Sequence, residues 1–125
     1  MVTLLIVDDQ PGVLDALRQY FALEPDIRIV GEAADGQSAI GLARELQPNL
    51  VITDIRMPNL GGIAAIPLLQ QVAPGSKVII LSIYDDSATR AQALAAGASA
   101  FVAKQDHAEV LLDVVRQLTG GANLP

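Results

Sequence analysis

A chain of 125 residues that is 51% hydrophobic but only 3% aromatic has the size of one domain and must build its core from Leu, Ile, Val and Ala. With no cysteine it has neither disulfides nor thiolate metal sites. The formal net charge of -6, with Lys77 and Lys104 the only lysines, speaks against nucleic-acid binding by this segment, because phosphate contacts need clustered cations. Its apolar runs are too short for a membrane span and no basic leader opens it, so a soluble, cytoplasmic protein without membrane partners is expected.

In chain order, Thr3 to Val7 reads as a buried strand, and the Asp8-Asp9-Gln10-Pro11-Gly12 that follows places an Asp before a proline as a helix start. Val13, Leu14, Leu17, Tyr20 and Phe21 recur at helical spacing until Pro25-Asp26 ends the stripe. Ile27 to Val30 is the second strand. Asp35-Gly36 then turns into a helix whose inward face is Ile40, Ala43 and Leu46, stopped by Pro48. The third strand, Leu50 to Thr53, delivers Asp54 and is cut off by Met57-Pro58, since the residue before a proline avoids helix. Gly61-Gly62 opens a helical pattern with Ile63, Ile66, Leu69 and Val72. Pro67 falls inside that pattern and predicts a late start or a kink, at a cost of roughly 3 kcal/mol.

After the turn Pro74-Gly75-Ser76, Val78 to Leu81 forms the fourth strand and ends in Ser82. Asp85-Asp86-Ser87 caps an alanine-rich helix over residues 88–96. Its one large apolar side chain, Leu94, predicts weak docking, with Gly97 as the C-cap. Ala100 to Ala103 is the fifth strand and delivers Lys104. Asp106 and Glu109 then stand at capping-box spacing before a stripe of Leu111, Val114, Val115 and Leu118. Residues 120–125 read as a tail or the start of a linker after a domain spanning 1–119. Five uninterrupted strand-helix units imply a parallel sheet with right-handed crossovers and helices on both faces.

The strand ends carry the chemistry. Asp8, Asp9, Asp54, Ser82 and Lys104 all fall where parallel strands finish, the edge at which open α/β sheets bind ligands. Singly, an Asp could cap a helix, a Ser bond to backbone and a Lys sit in solvent. Asp54 is harder to dismiss, because a carboxylate directly after four buried residues needs a cleft or a partner. Two carboxylates at about 4 Å repel by roughly 4 kcal/mol at an effective dielectric near 20, so three converging acids require cations. Oxygen donors without His or Cys favour Mg²⁺, which keeps waters and takes phosphate oxygens. With Lys104 and Ser82 beside it, such a site suits phosphoryl transfer onto a nucleophilic carboxylate.

These residues, together with Asp54-Ile55-Arg56-Met57-Pro58 and Phe101-Val102-Ala103-Lys104, closely resemble the receiver domain of two-component response regulators. The resemblance covers residues 3 to 119. It implies the flavodoxin-like (βα)5 fold, a doubly wound five-stranded parallel sheet in the order 2-1-3-4-5. It implies Asp54 as phospho-acceptor, Asp9, Asp54 and the Arg56 backbone carbonyl as Mg²⁺ ligands, and Asp8 as a ligand through water. Ser82 and Lys104 would hold the phosphoryl group, and Phe101 would move with the switch. The implied donor is a sensor histidine kinase, and the implied consequence is a conformational change that controls an output. Val30 to Gly36 and the Lys104-Gln105 pair, in place of Lys-Pro, are similar to the NarL/FixJ class. There a helix-turn-helix DNA-binding domain follows the receiver, and a phosphorylation-dependent homodimer or that output domain is the partner.

Two other readings are weaker. Mg²⁺-dependent hydrolases with an Asp nucleophile carry a second Asp two residues on, where this chain has Arg56. A flavin or nucleotide binder would present glycines and hydroxyls after the first strand, where Asp8-Asp9 would repel phosphate. The single histidine, His107, reads as a surface residue.

Overall fold

The computed structural model describes residues 1–120. Strands β1 (Val2–Val7), β2 (Ile27–Ala33), β3 (Leu50–Thr53), β4 (Lys77–Ser82) and β5 (Ala100–Ala103) alternate with helices α1 (Pro11–Phe21), α2 (Gly36–Leu46), α3 (Gly62–Val72), α4 (Ser87–Ala96) and α5 (Ala108–Thr119). The strands form one parallel sheet in the order β2-β1-β3-β4-β5, the expected flavodoxin-like arrangement. Because β1 and β3 are neighbours, the chain reverses its direction of travel between them, and a crevice opens at their carboxyl ends.

Alternation along buried strands sorts the core into two layers. Leu5, Val7, Val51, Val78 and Ile80 face Ala39 and Ala43 of α2, Ile66 and Leu69 of α3, and Ala93 of α4. Leu4, Ile6, Ile52, Ile79 and Val102 face Leu17 and Phe21 of α1 and Leu111 and Val115 of α5. Ile6, Ile52 and Ile79 are at most 1% exposed, so the rows that carry the strand ends to their places lie in the best-packed part of the molecule.

Several boundaries differ from the sequence pattern. The strand β2 runs three residues beyond Val30, because β1 pairs Leu4 with Ile29 and then Leu5 with Gly31, leaving Val30 as an extra residue. A glycine and a glutamate in that stretch hid the strand. Helix α1 starts on Pro11 with Gln10 at its N-cap and no side-chain cap, so neither Asp8 nor Asp9 caps it. In α2 the buried positions are Gly36, Ala39 and Ala43. Leu46, the last residue of the helix, is 38% exposed and lies over Gly31 of the edge strand β2.

Helix α3 runs from Gly62 without the delay Pro67 suggested, since tertiary packing sets its start: the Gly62 amide donates to the Ile55 carbonyl at 2.8 Å. In α4 the buried residue is Ala93, and Leu94 is 51% exposed. One step of helical rotation carries Leu94 off the contact face. Leu94 is therefore not the anchor of α4; Ala93 is its one buried residue. Asp86 caps α4 by accepting from the Thr89 amide at 3.1 Å, and Gly97 ends it at φ 117°. The capping box at α5 does not form: His107 is the N-cap, because Asp106 is held in a turn by its amide bond to the Ala103 carbonyl. Gly120 is the C-cap of α5, and the rest of the expected tail, residues 121–125, lies outside the described residues.

The close approach of α3 to β3 predicts opposite outcomes for two glycines. A Cβ on Gly62 would sit 1.9 Å from the Asp54 carbonyl oxygen, whereas one on Gly41, exposed in α2, meets nothing within 4 Å. Gly62→Ala should lower unfolding stability by ~1–3 kcal/mol or more. Gly41→Ala should raise it by about 0.5–1 kcal/mol. Urea denaturation of the two variants checks both.

Candidate functional site

Backbone ladder bonds continue past the strand ends and hold the polar side chains in register. The Asp8 amide donates to the Ala33 carbonyl at 3.0 Å, the Asp54 amide to the Val7 carbonyl at 3.1 Å, and the Lys104 amide to the Ser82 carbonyl at 2.9 Å. Strands β1, β3 and β5 therefore deliver their next residue, and β4 its last, to one rim. Asp8 and Asp54 are buried, at 2% and 7% exposure, and Ser82 is fully buried, while Asp9 points to solvent.

The three carboxylates offer oxygens that all lie within 4.8 Å of one another. Lys104 crosses to them from β5. Its Nζ sits 2.8 Å from Asp8 Oδ2 and 3.0 Å from Asp54 Oδ2. The remaining oxygens are also engaged: Asp8 Oδ1 accepts from the Gln10 amide at 2.9 Å and Asp54 Oδ1 from the Ile55 amide at 2.7 Å. Both bonds orient the carboxylates from behind.

Burial and pairing pull in opposite directions here. Burial pushes the Asp8 carboxyl above its ordinary range, and the bonds from Lys104 and Gln10 only partly offset this. For Lys104, burial would lower the pKa, but the bonds to Asp8 and Asp54 outweigh it and the ammonium is held above its ordinary value. The two directions agree on one physical picture: the ammonium gains from two acids, whereas Asp8 must share one ammonium and also feels the repulsion of Asp54.

When all three acids are ionised they carry three negative charges against one positive, an excess that a divalent cation would neutralise. The donors are hard oxygens, Asp9 projects into the open side of the cluster, and no thiolate or imidazole is among them. That donor set fits Mg²⁺, which Asp8, Asp9 and Asp54 would hold directly or through water.

The other expected residues surround this centre. Ser82 Oγ accepts from the Tyr84 amide at 3.0 Å, and no hydrogen bond among the described residues uses its hydroxyl proton. Arg56 lies in the loop after Asp54, with its guanidinium 4.1 Å from the centre of the Tyr84 ring, and no hydrogen bond among the described residues uses its carbonyl oxygen. Phe101 is half-buried opposite Ile80, on the same sheet face as Ser82. His107 is exposed, as expected, and the Lys104-Gln105 peptide is trans.

Several contributors escaped the sequence reading. Thr53 Oγ1 donates to the Asp54 carbonyl at 3.1 Å, and Gly62 packs directly on that same carbonyl. Asp85 accepts from Gln105 Nε2 at 3.1 Å, which ties the loop after β4 to the loop after β5. In the sequence the Gly61-Gly62 pair reads only as a helix opening and Asp85 only as part of a helix cap.

Comparison with known proteins gives a consistent result. The sequence description of the response regulator receiver domain matches residues 4–116. The uncharacterized transcriptional regulatory protein YhcZ of Bacillus subtilis is 40% identical over 94% of this chain and 55% of its own length. The nitrate/nitrite response regulator protein NarL of Escherichia coli is 30% identical over 95% of this chain and 55% of its own. The chain thus spans about half the length of these curated relatives. Among solved structures, a CheX-CheY-BeF3-Mg²⁺ complex from Borrelia burgdorferi contains a chain of 27% identity and TM-score 0.88, covering 94% of this chain and 89% of that one.

The electrostatics of the acid cluster make a direct prediction. Lys104→Met leaves Asp8 and Asp54 close together without their ammonium and should cost about 3 kcal/mol of stability at pH 7, the lower end for a buried pair losing one partner. The Asp8 carboxyl, already raised, rises further in the variant. A raised acid favours folding at low pH and loses that contribution as pH rises through its folded pKa. The gap between wild type and variant should therefore narrow from pH 7 towards pH 4, as read by urea melts at the two pH values.

Proposed function

The chain belongs to the response regulator receiver domain family, and on that premise we propose that residues 1–119 form a two-component receiver that takes a phosphoryl group on Asp54. The observation that supports this most is the position of that carboxylate. It ends the central strand at the topological crevice, is oriented by the Ile55 amide, and lies 3.0 Å from the Lys104 ammonium inside an all-oxygen acid cluster. In this reading Asp54 Oδ2 attacks phosphorus, and the bond from phosphorus to the imidazole nitrogen of a sensor histidine kinase breaks. The imidazole leaves and an acyl phosphate remains. Later attack by water returns the carboxylate and inorganic phosphate.

Bound Mg²⁺ would supply charge neutralisation for the phosphoryl oxygens. Asp9 and Asp54 would hold it directly, the Arg56 carbonyl would contribute a further oxygen, and Asp8 would act through water. Lys104 would give up part of its contact with Asp54 to a phosphoryl oxygen, and the free proton of Ser82 would be donated to another. The module carries out this transfer on itself and uses the product as a signal.

The readout follows from the neighbourhood of Ser82. When its hydroxyl turns to the phosphoryl group, the half-buried ring of Phe101, on the same sheet face, moves inward. A phenyl ring suits that move because it has no hydroxyl needing a partner. Helix α4, whose one buried residue is Ala93, resists such a change least. The partners are then a second receiver or an output domain. YhcZ is described as a transcriptional regulator and is longer than the matched stretch. A DNA-binding domain joined to this one in a cytoplasmic regulator accords with that length and with the net charge of -6 here.

Two measurements test the reading. Incubation with acetyl phosphate and Mg²⁺ should add one phosphoryl group to the wild type by intact-mass analysis. Addition of EDTA, or the variant Asp54→Asn, should abolish the label, and an equally labelled variant would sink the assignment. Backbone NMR with beryllofluoride, a mimic of the acyl phosphate, should shift resonances in α4 and at Phe101 as well as in the loops around Asp54. Shifts confined to those loops would exclude the proposed route.

A further inference from the structure

Helix α4 is held to the rest of the protein by little apolar surface, so its polar and aromatic contacts carry unusual weight. Arg90 makes two of them with one side chain. Its guanidinium carbon lies 4.6 Å from the centre of the Phe101 ring on β5, and its Nε donates to the Asp85 carbonyl at 3.1 Å. Asp85 in turn accepts from Gln105 beyond β5. Arg90 forms no ion pair among the described residues. All its directed contacts are thus with the ring and with the loop after β4.

We propose that Arg90 is a latch for the resting conformation, holding the Phe101 ring outward and α4 against the loop that follows Ser82. The inference rests on the proposed role of Asp54 and Phe101, and goes beyond it by assigning the residue that opposes the switch. The geometry makes the contact state-selective. The guanidinium is tethered at Nε to a backbone carbonyl, so it cannot follow the ring towards Ser82 without breaking that bond. If it stays, it loses the ring face. Either way an inward Phe101 forfeits attraction that the outward ring enjoys. A contact made in only one of two states sets their ratio by its own strength. For a cation over an aromatic face at a partly exposed site that corresponds to about two- to fivefold in population.

Titration of the chain with beryllofluoride in the presence of Mg²⁺, followed by NMR, reads this bias. Ligand binding is linked to the switch, so a protein freed from its resting latch binds the mimic more tightly. Arg90→Ala should lower the apparent dissociation constant about two- to fivefold. In a Phe101→Leu background, where no ring face remains, the same substitution should change affinity little. General loosening of α4 would act alike in both backgrounds, so the comparison with Phe101→Leu separates a latch from a merely structural residue. Equal or weaker binding by Arg90→Ala, with normal binding by wild type, overturns the latch and leaves the phospho-acceptor assignment standing. Tightening of the same size in the Phe101→Leu background overturns the ring contact as its cause. Absence of binding by the wild type overturns both.

Discussion

One ammonium shared by two buried carboxylates is the constraint on which the rest of the site depends. Lys104 stands 2.8 Å from Asp8 and 3.0 Å from Asp54, and without it the rim of the sheet would gather like charges in a poorly solvated place. The arrangement is balanced only in part. Asp8 remains above the ordinary carboxylate range through its burial, and Asp9 adds a further negative group on the open side. A cluster left short of positive charge is poised to accept more of it together with anionic oxygens. That is the physical requirement for holding a phosphoryl group beside a hard cation.

The sheet makes this possible by mechanical means. Parallel strands buried on both faces extend their ladders one residue beyond the regular structure, as at Asp8, Asp54 and Lys104. The Cα positions are then set by backbone bonds rather than by loop conformation. Behind them, Gly62 lets α3 press against the Asp54 carbonyl with no Cβ in the way. The Asp54 carboxylate thus follows a fully buried strand, whereas α4 buries only Ala93.

Much of this was legible in the residues. The five apolar runs, their proline and glycine punctuation, and the acids, hydroxyl and lysine at their ends identified the parallel sheet and the residues at its rim. The misreadings have local causes. A bulge lengthened β2 through Gly31 and Glu32, which carry no strand pattern. Leu94 and Leu46 are large and apolar yet exposed, whereas Ala93, and Ala43 as expected, are buried. Pro67 did not delay α3, since the Gly62 amide already had a tertiary partner in Ile55.

Periodicity and residue type by themselves determined the order of elements, the two-sided core and the list of groups at the strand ends, because those follow from alternation and from which side chains tolerate burial. Only the tertiary structure decided which oxygen meets which nitrogen. The sharing of Lys104 between Asp8 and Asp54, the seat of Arg56 on Tyr84, and that of Arg90 on Phe101 join residues from different strand-helix units. No local pattern encodes such pairings, since they arise where separate loops converge and side chains reach across the gap.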